Sequence, residues 1–247
     1  MAAGVASLDW SAPWLAHWSA VGEPVARRVA LGQRTCDALN AAGLAPVRFV
    51  PASELPTDEP YERYIFNSKQ CPIREDLHDF FNGICWIAFP QTKKRLNELQ
   101  AAEIGELGVQ PVRGAVRDAI TLFDENAAFL DAPPPIWDAL LAKDWHRLFV
   151  TLRPLWGQAQ VVVFGHAALE KLVSPRKPVV VHVYAQQFAI ESIAALDQGV
   201  AASLTAPVLA GKPFAPLPVL GVPGWWAANE DPTFYDDPQV FRPPKVL

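Results

Sequence analysis

Cysteine is scarce in this chain of 247 residues, and the little there is does not pair by spacing. Cys36, Cys71 and Cys85 form an odd, scattered set without a CxxC pair. That argues against a disulfide or zinc framework and for free thiols in a reducing compartment, the cytoplasm. Long hydrophobic runs are missing too. Runs such as residues 161–164 and 179–183 fall far short of the roughly 20 residues that span a bilayer, so no membrane partner is expected. The opening MAAGVASLDWSAPW has no basic stretch followed by an apolar one, so no secretory signal is read there. Neither HExxH, a Walker A loop, GxGxxG nor GxSxG occurs, which removes the common nucleotide-binding folds and serine hydrolases. Surplus positive charge is absent as well. A net charge of −5 and a pI near 5.5 argue against duplex nucleic acid as a partner.

What is present is a globular composition, 51% hydrophobic and 19% charged, of a length that most economically makes one domain. Twenty-four prolines are about double ordinary usage, and nine tryptophans are also many. Disorder would account for the prolines but not the tryptophans. Together they predict ordered segments lying extended over a helical body. The expected architecture is a mostly helical α+β domain over residues 1–247, with one small sheet. Residues 1–12 make a loose start, and residues 206–247 form an extended Pro/Trp-rich arm anchored by Trp225, Trp226, Phe234, Tyr235 and Phe241.

The chain is organised around residues 74–100, which read as two consecutive helices broken at Pro90. In the first, residues 75–89, Leu77, Phe81, Ile84 and Ala88 share one sector and make an ordinary core stripe. Glu75, His78, Asn82, Trp86 and Phe89 share another, which mixes rings with groups that titrate or hydrogen-bond. A solvated face would hold more Lys and Glu and fewer rings, so something packs on both sides of this helix. In the second helix Leu96 and Leu99 mark the apolar stripe, with Glu103 inside it.

Elsewhere, helices are read over residues 13–20, 24–42, 136–142, 145–155, His166–Val173 and 190–204, and strands over 46–50, 160–164 and 179–184. Residues 61–66 look like an edge strand. Residues 120–130 look like a hairpin turning at Asp124-Glu125-Asn126, with a helix running into that segment as the open alternative.

Several strings in this order, LHDFFNGICWIAFP-TK--LN, RDAITLFDEN, FGHAALEKL and PLPVLGVPGWWAANEDPTFYDDPQVFRP, resemble a bacterial family known as domain of unknown function number three thousand and twenty-five. The resemblance runs from about Ala12 to Pro244, and its C-terminal string is the most specific. It implies a single soluble bacterial domain. Ala127 departs from the glycine expected after DEN, which weakens the hairpin assignment. The family carries no activity, cofactor or catalytic residue across, so the site is read from the residues alone.

Three readings stand. A divalent metal site is assembled from His78, Asp79, His166, Glu170 and His182, because imidazole and carboxylate suit Zn²⁺, Mn²⁺ or Fe²⁺, and His166 and Glu170 sit one helical turn apart. Two or three such ligands with an open position would activate water for hydrolysis. A metal-free acid/base site instead takes His78 as base and Glu103 as acid, with Asn82 or Arg117 orienting a substrate. Trp86, Trp225, Trp226 and Asn229 would contact the ligand. The pocket would then lie between the His78–Asn82 face, the His166–Glu170 face and the tail near Trp225. The third reading is non-catalytic, a protein-interaction adaptor whose Trp/Tyr-rich arm is the docking surface. For that tail the structural alternative is a clamp, with its rings filling grooves and Asn229 and Asp231 serving backbone groups at turns.

Overall fold

A computed structural model of the chain describes residues 1–43, 45–107 and 114–243. Helices dominate: α1 (Ala2–Ala6), α2 (Ser19–Ala30), α3 (Thr35–Asn40), α4 (Tyr61–Ser68), α5 (Leu77–Ala88), α6 (Pro90–Leu107), α7 (Ala115–Asn126), α8 (Pro134–Ala142), α9 (His166–Val173), α10 (Ile193–Ser203) and α11 (Ala206–Ala210). There are two small sheets among the described residues rather than one. The first pairs β1 (Arg48–Pro51) in parallel with β2 (Gln70–Ile73), and α4 makes the crossover between them. The second has the order β4 (Gln160–Val163), β3 (Ala127–Asp131), β5 (Val180–Tyr184), β6 (Phe214–Pro218). Its β3 and β5 run parallel, and the outer strands pair antiparallel to them.

The central helix pair forms where the periodicity places it, and its ends show why. Asp76 caps α5 by accepting the Asp79 N–H at 2.8 Å. Pro90 then opens α6 at a position where its missing N–H costs nothing. The next two α6 donors, Gln91 N and Thr92 N, point at Asp197 of α10, whose carboxylate lies buried on that helix start at 3.0 and 2.8 Å. Beneath the pair, Phe89, Phe123, Phe129 and Phe164 meet ring to ring at 5.2–5.9 Å. They belong to one apolar cluster that reaches from Val5 to Phe241.

Several expectations need correction. Residues 61–66 are helix, not strand: Tyr61 and Ile65, one turn apart, face inward, and Asn97 of α6 clamps the Glu62 carbonyl at 2.8 Å. Packing overrides the β-prone composition here. The hairpin at 120–130 is also overturned. Helix α7 continues through Asp124-Glu125-Asn126, and the chain passes straight into β3. The long helix over 24–42 is two, α2 and α3, parted where Gly32 takes φ +94°. The first dozen residues are not loose; they hold α1 and bury Val5 and Leu8. The C-terminal stretch is less extended than expected. It contributes α11 and the edge strand β6, then short helical turns at Val219–Gly221, Ala227–Glu230 and Pro232–Asp236.

Candidate active site

Four helices bring polar groups to one place. Helix α5 supplies His78 and Asn82, α6 supplies Lys93, α7 supplies Asp124 and Glu125, and α9 supplies His166 and Glu170. A close backbone approach makes this possible. Gly165, between β4 and α9, lies so near α7 that a Cβ there would meet Asn126 N at 2.3 Å and the Glu125 carbonyl carbon at 2.4 Å. Only glycine lets the start of α9 sit on the end of α7, and this sets His166 beside Asp124 and Glu125.

The two imidazoles face each other. His166 Nε2 is 3.1 Å from His78 Nε2, and Glu125 Oε2 is 3.5 Å from His166 Nε2. One ligand atom from each of His78, Glu125 and His166 lies within 4.8 Å of the others. Behind each ring stands a carboxylate: Glu170 Oε2 at 3.1 Å from His78 Nδ1, and Asp124 Oδ2 at 3.8 Å from His166 Nδ1.

Next to this group runs a charged and polar relay. Lys93 Nζ donates to Asp124 Oδ1 at 2.5 Å and to Asn82 Oδ1 at 2.8 Å, and Asn82 Nδ2 donates to the Tyr61 hydroxyl at 3.0 Å. Burial works against the Lys93 charge, but Asp124 outweighs it and raises the ammonium pKa, so Lys93 stays protonated. Burial likewise pushes the Asp124 carboxyl up, and Lys93 beside it wins and holds it below its ordinary value. Glu125 is raised, by burial first and by the neighbouring Asp124 second. His166 falls to about 4, because burial disfavours its cation more than Asp124 favours it. At neutral pH it is therefore the uncharged imidazole that a metal ion requires.

These groups border two adjoining cavities, one of about 390 Å³ that includes His78, His166, Glu125 and Tyr61, and one of about 330 Å³ between α4, α6 and α7. Asn82, Asp124, Glu125, Tyr61 and Glu62 line both.

Of the residues singled out in the sequence, His78, Asn82, His166 and Glu170 converge here, and Trp86 and Arg117 line the second cavity. Asp79 borders the first cavity but is engaged by Arg74, which donates from its backbone N at 2.6 Å and from its guanidinium at 2.9 Å twice. Its carboxylate serves that pair and not the histidine group. His182 stands on β5 between β3 and β6, outside the group. Glu103 lines neither cavity, because the inward face of α6 is Lys93, Asn97, Gln100 and Ile104. Trp225 and Trp226 pack half-buried elsewhere, with the Trp14 and Trp225 ring centroids 6.2 Å apart. Asn229 is fully buried, donating to the Leu220 and Val222 carbonyls at 2.8 Å each, so nothing of it is left for a ligand. Sequence reasoning missed Lys93, Tyr61, Asp124 and Glu125. The last two lie in the RDAITLFDEN string, but read as a turn they pointed away from any partner.

The chain belongs to the DUF3025 family, described as a protein of unknown function, whose model matches residues 47–245. No curated protein and no solved structure gives a significant match.

Proposed function

For this member of a family without an assigned activity, we propose a metal-dependent hydrolase of small carbonyl substrates, with His78, His166 and Glu125 as ligands of one divalent ion. The observation that carries this is the pair of Nε2 atoms at 3.1 Å with an acid behind each ring. An Nδ1–H on His78 serves Glu170, and one on His166 would point toward Asp124 at 3.8 Å, beyond hydrogen-bond reach; with both in place, two Nε2 lone pairs point at each other. Making His166 Nε2 the donor relieves that clash and leaves its buried Nδ1 without a partner near the Asp124 carboxylate. A cation between the rings resolves both conflicts, and carboxylates behind metal-bound imidazoles are the usual support. Tetrahedral ligands at bonds of about 2.0–2.2 Å stand roughly 3.4 Å apart, close to the 3.1 and 3.5 Å from His166 Nε2 to His78 Nε2 and Glu125 Oε2.

In this reading the ion binds water and lowers its pKa toward 7. Water activated there would add to the substrate carbonyl carbon while the bond to the leaving amine or alcohol breaks and the proton passes to that leaving group. Lys93, Asn82 and Tyr61 supply a fixed array of donors and acceptors beside the reacting carbonyl. The free, buried cysteines fit a cytoplasmic location. Among the described residues no helix is long and apolar enough to cross a membrane. The adaptor reading asks for Trp225 and Trp226 on an exposed flat patch, and their half-buried packing does not favour it.

Elemental analysis of protein purified without a histidine tag tests the reading. Wild type should carry near-stoichiometric zinc, manganese or iron, and the folded His78→Ala/His166→Ala variant should carry none. Metal-free wild type whose melting does not respond to added Zn²⁺, Mn²⁺ or Fe²⁺ would sink it.

A further inference from the structure

The 330 Å³ cavity extends well past the histidine group. It is lined by α6 from Lys93 to Ile104 and by α7 from Arg117 to Glu125. With Lys93, near the start of α6, bonded to Asp124, near the end of α7, this shared lining requires the helices to run antiparallel. Seven residues along each helix from that pair stand Gln100 and Arg117. At 1.5 Å per residue they lie roughly 10 Å away.

Each keeps one unsatisfied atom. Gln100 is 6% exposed, yet its Oε1 is buried without a hydrogen-bond partner, and so is Arg117 Nε. A buried acceptor without a donor costs stability, and native structures rarely keep one that has no use. Around them Asn97 is held on Glu62, and Lys93 is shared by Asp124 and Asn82. The far end of the chamber therefore offers one cation with a free donor and one neutral acceptor, walled by Trp86, Leu96, Ile104 and Ile120.

That pair discriminates among ligands. A carboxylate alone would satisfy Arg117 but set acceptor against acceptor at Gln100 Oε1, whereas inorganic phosphate keeps a P–OH donor at neutral pH and is told apart by competition. A carboxylate with an N–H close by satisfies both. This is the end of a peptide chain, where the guanidinium takes the carboxylate and the amide oxygen takes the last backbone N–H. Three extended residues span about 10 Å, the distance back to the Lys93–Asp124 pair that borders the histidine group. We propose that this chamber binds the free C-terminus of a short acylated peptide, about three residues long, through Arg117 and Gln100, and presents an amide carbonyl to the His78–His166–Glu125 group. The reaction rests on the hydrolase reading: water oxygen joins the carbonyl carbon, the C–N bond breaks, and the amine leaves with the proton. The binding does not rest on it.

Isothermal titration of N-acetyl-trialanine tests the binding, performed in the His78→Ala/His166→Ala background so that the probe is not consumed. The free acid should bind at least tenfold more tightly than its C-terminal amide. Arg117→Gln should erase that difference. Gln100→Leu should weaken the free acid about tenfold while raising Tm, because an unpaired buried acceptor is removed; a merely structural glutamine would lower it. Equal affinity for acid and amide, or no binding of either, overturns the proposal, whatever the metal analysis shows. An acid preference that survives in Arg117→Gln overturns it too. Inorganic phosphate competing as well as the peptide would mean that the site reads charge alone and would sink the peptide assignment. Bound metal with a failed titration leaves the hydrolase reading standing, and the reverse pattern leaves the chamber.

Discussion

The C-terminal stretch around Asn229 and the wall of the cavities both mix aromatic and polar residues, and they treat polar groups in opposite ways. In the clamp every bond closes. Asn229 donates twice to backbone carbonyls and accepts from Arg153 at 3.2 Å. Arg153 also donates to the Asn229 carbonyl and the Tyr235 hydroxyl, and that hydroxyl donates to the Gly221 carbonyl at 3.0 Å. Tyr235 stacks on Phe149 at 5.1 Å. In the cavity wall some groups are held as tightly, but two imidazoles meet Nε2 to Nε2 at 3.1 Å, and Gln100 and Arg117 keep unused capacity. Aromatic and polar composition alone therefore does not mark a site. Unspent hydrogen-bonding capacity beside a cavity does.

The largest expected effect cuts across that contrast, because the cavity has a frame of its own. Lys93 is 4% exposed and holds Asp124. Lys93→Met leaves a carboxylate uncompensated in the wall and should cost roughly 3–5 kcal/mol in urea unfolding. Lys93→Met/Asp124→Leu should regain most of the loss, since an apolar pair needs no partner. A single-variant loss below about 1 kcal/mol would mean that the pair does not frame the cavity.

Next in size is the clamp. Asn229→Ala deletes three hydrogen bonds and strands the Leu220 carbonyl, while the Val222 carbonyl keeps the Trp225 N–H, which should lower stability by about 2 kcal/mol. Metal content and N-acetyl-trialanine affinity of the folded fraction should stay as in wild type. A parallel loss of either would tie the clamp to the site and erase the distinction between the two regions.

The same contrast explains which parts could be read from sequence. The α5–α6 break at Pro90 and helix α9 after Gly165 were legible, because local periodicity and turn chemistry determine them. His78 and His166 were legible as chemistry, but not as a pair. Eighty-eight positions separate them, and their meeting depends on a glycine-sized gap between α9 and α7 that no local pattern announces. Asp124 and Glu125 were lost for the opposite reason. Polar, turn-forming residues at the end of a helix read as a loop, and only Lys93 and the histidines across the cavity make a last helical turn of them. Tyr61 and Glu62 failed likewise, since a short stretch of rings fits a strand until Asn97 reaches across to hold it as a helix. In the tail the burial of Phe234, Tyr235 and Phe241 was legible, but its path was not, because a strand containing Pro216 and Pro218 is possible only at a sheet edge.

The smallest effect on stability should come with a distinct effect on the site. Glu170 accepts from or pairs with His78 Nδ1 while its side chain is 40% exposed. Glu170→Gln keeps a hydrogen-bonding group of the same size and removes the charge. At that exposure unfolding should change by no more than about 0.5 kcal/mol. Metal affinity should nonetheless fall tenfold or more, because the carboxylate fixes the ring tautomer and makes Nε2 a better donor to the ion. Chelator competition on wild type and variant measures this directly. Equal affinities would make Glu170 an ordinary surface partner of His78, and the ligand set would then have to stand without it. A tenfold loss at unchanged stability would mark Glu170 as a positioning residue, its work invisible to folding in the way the clamp's is not.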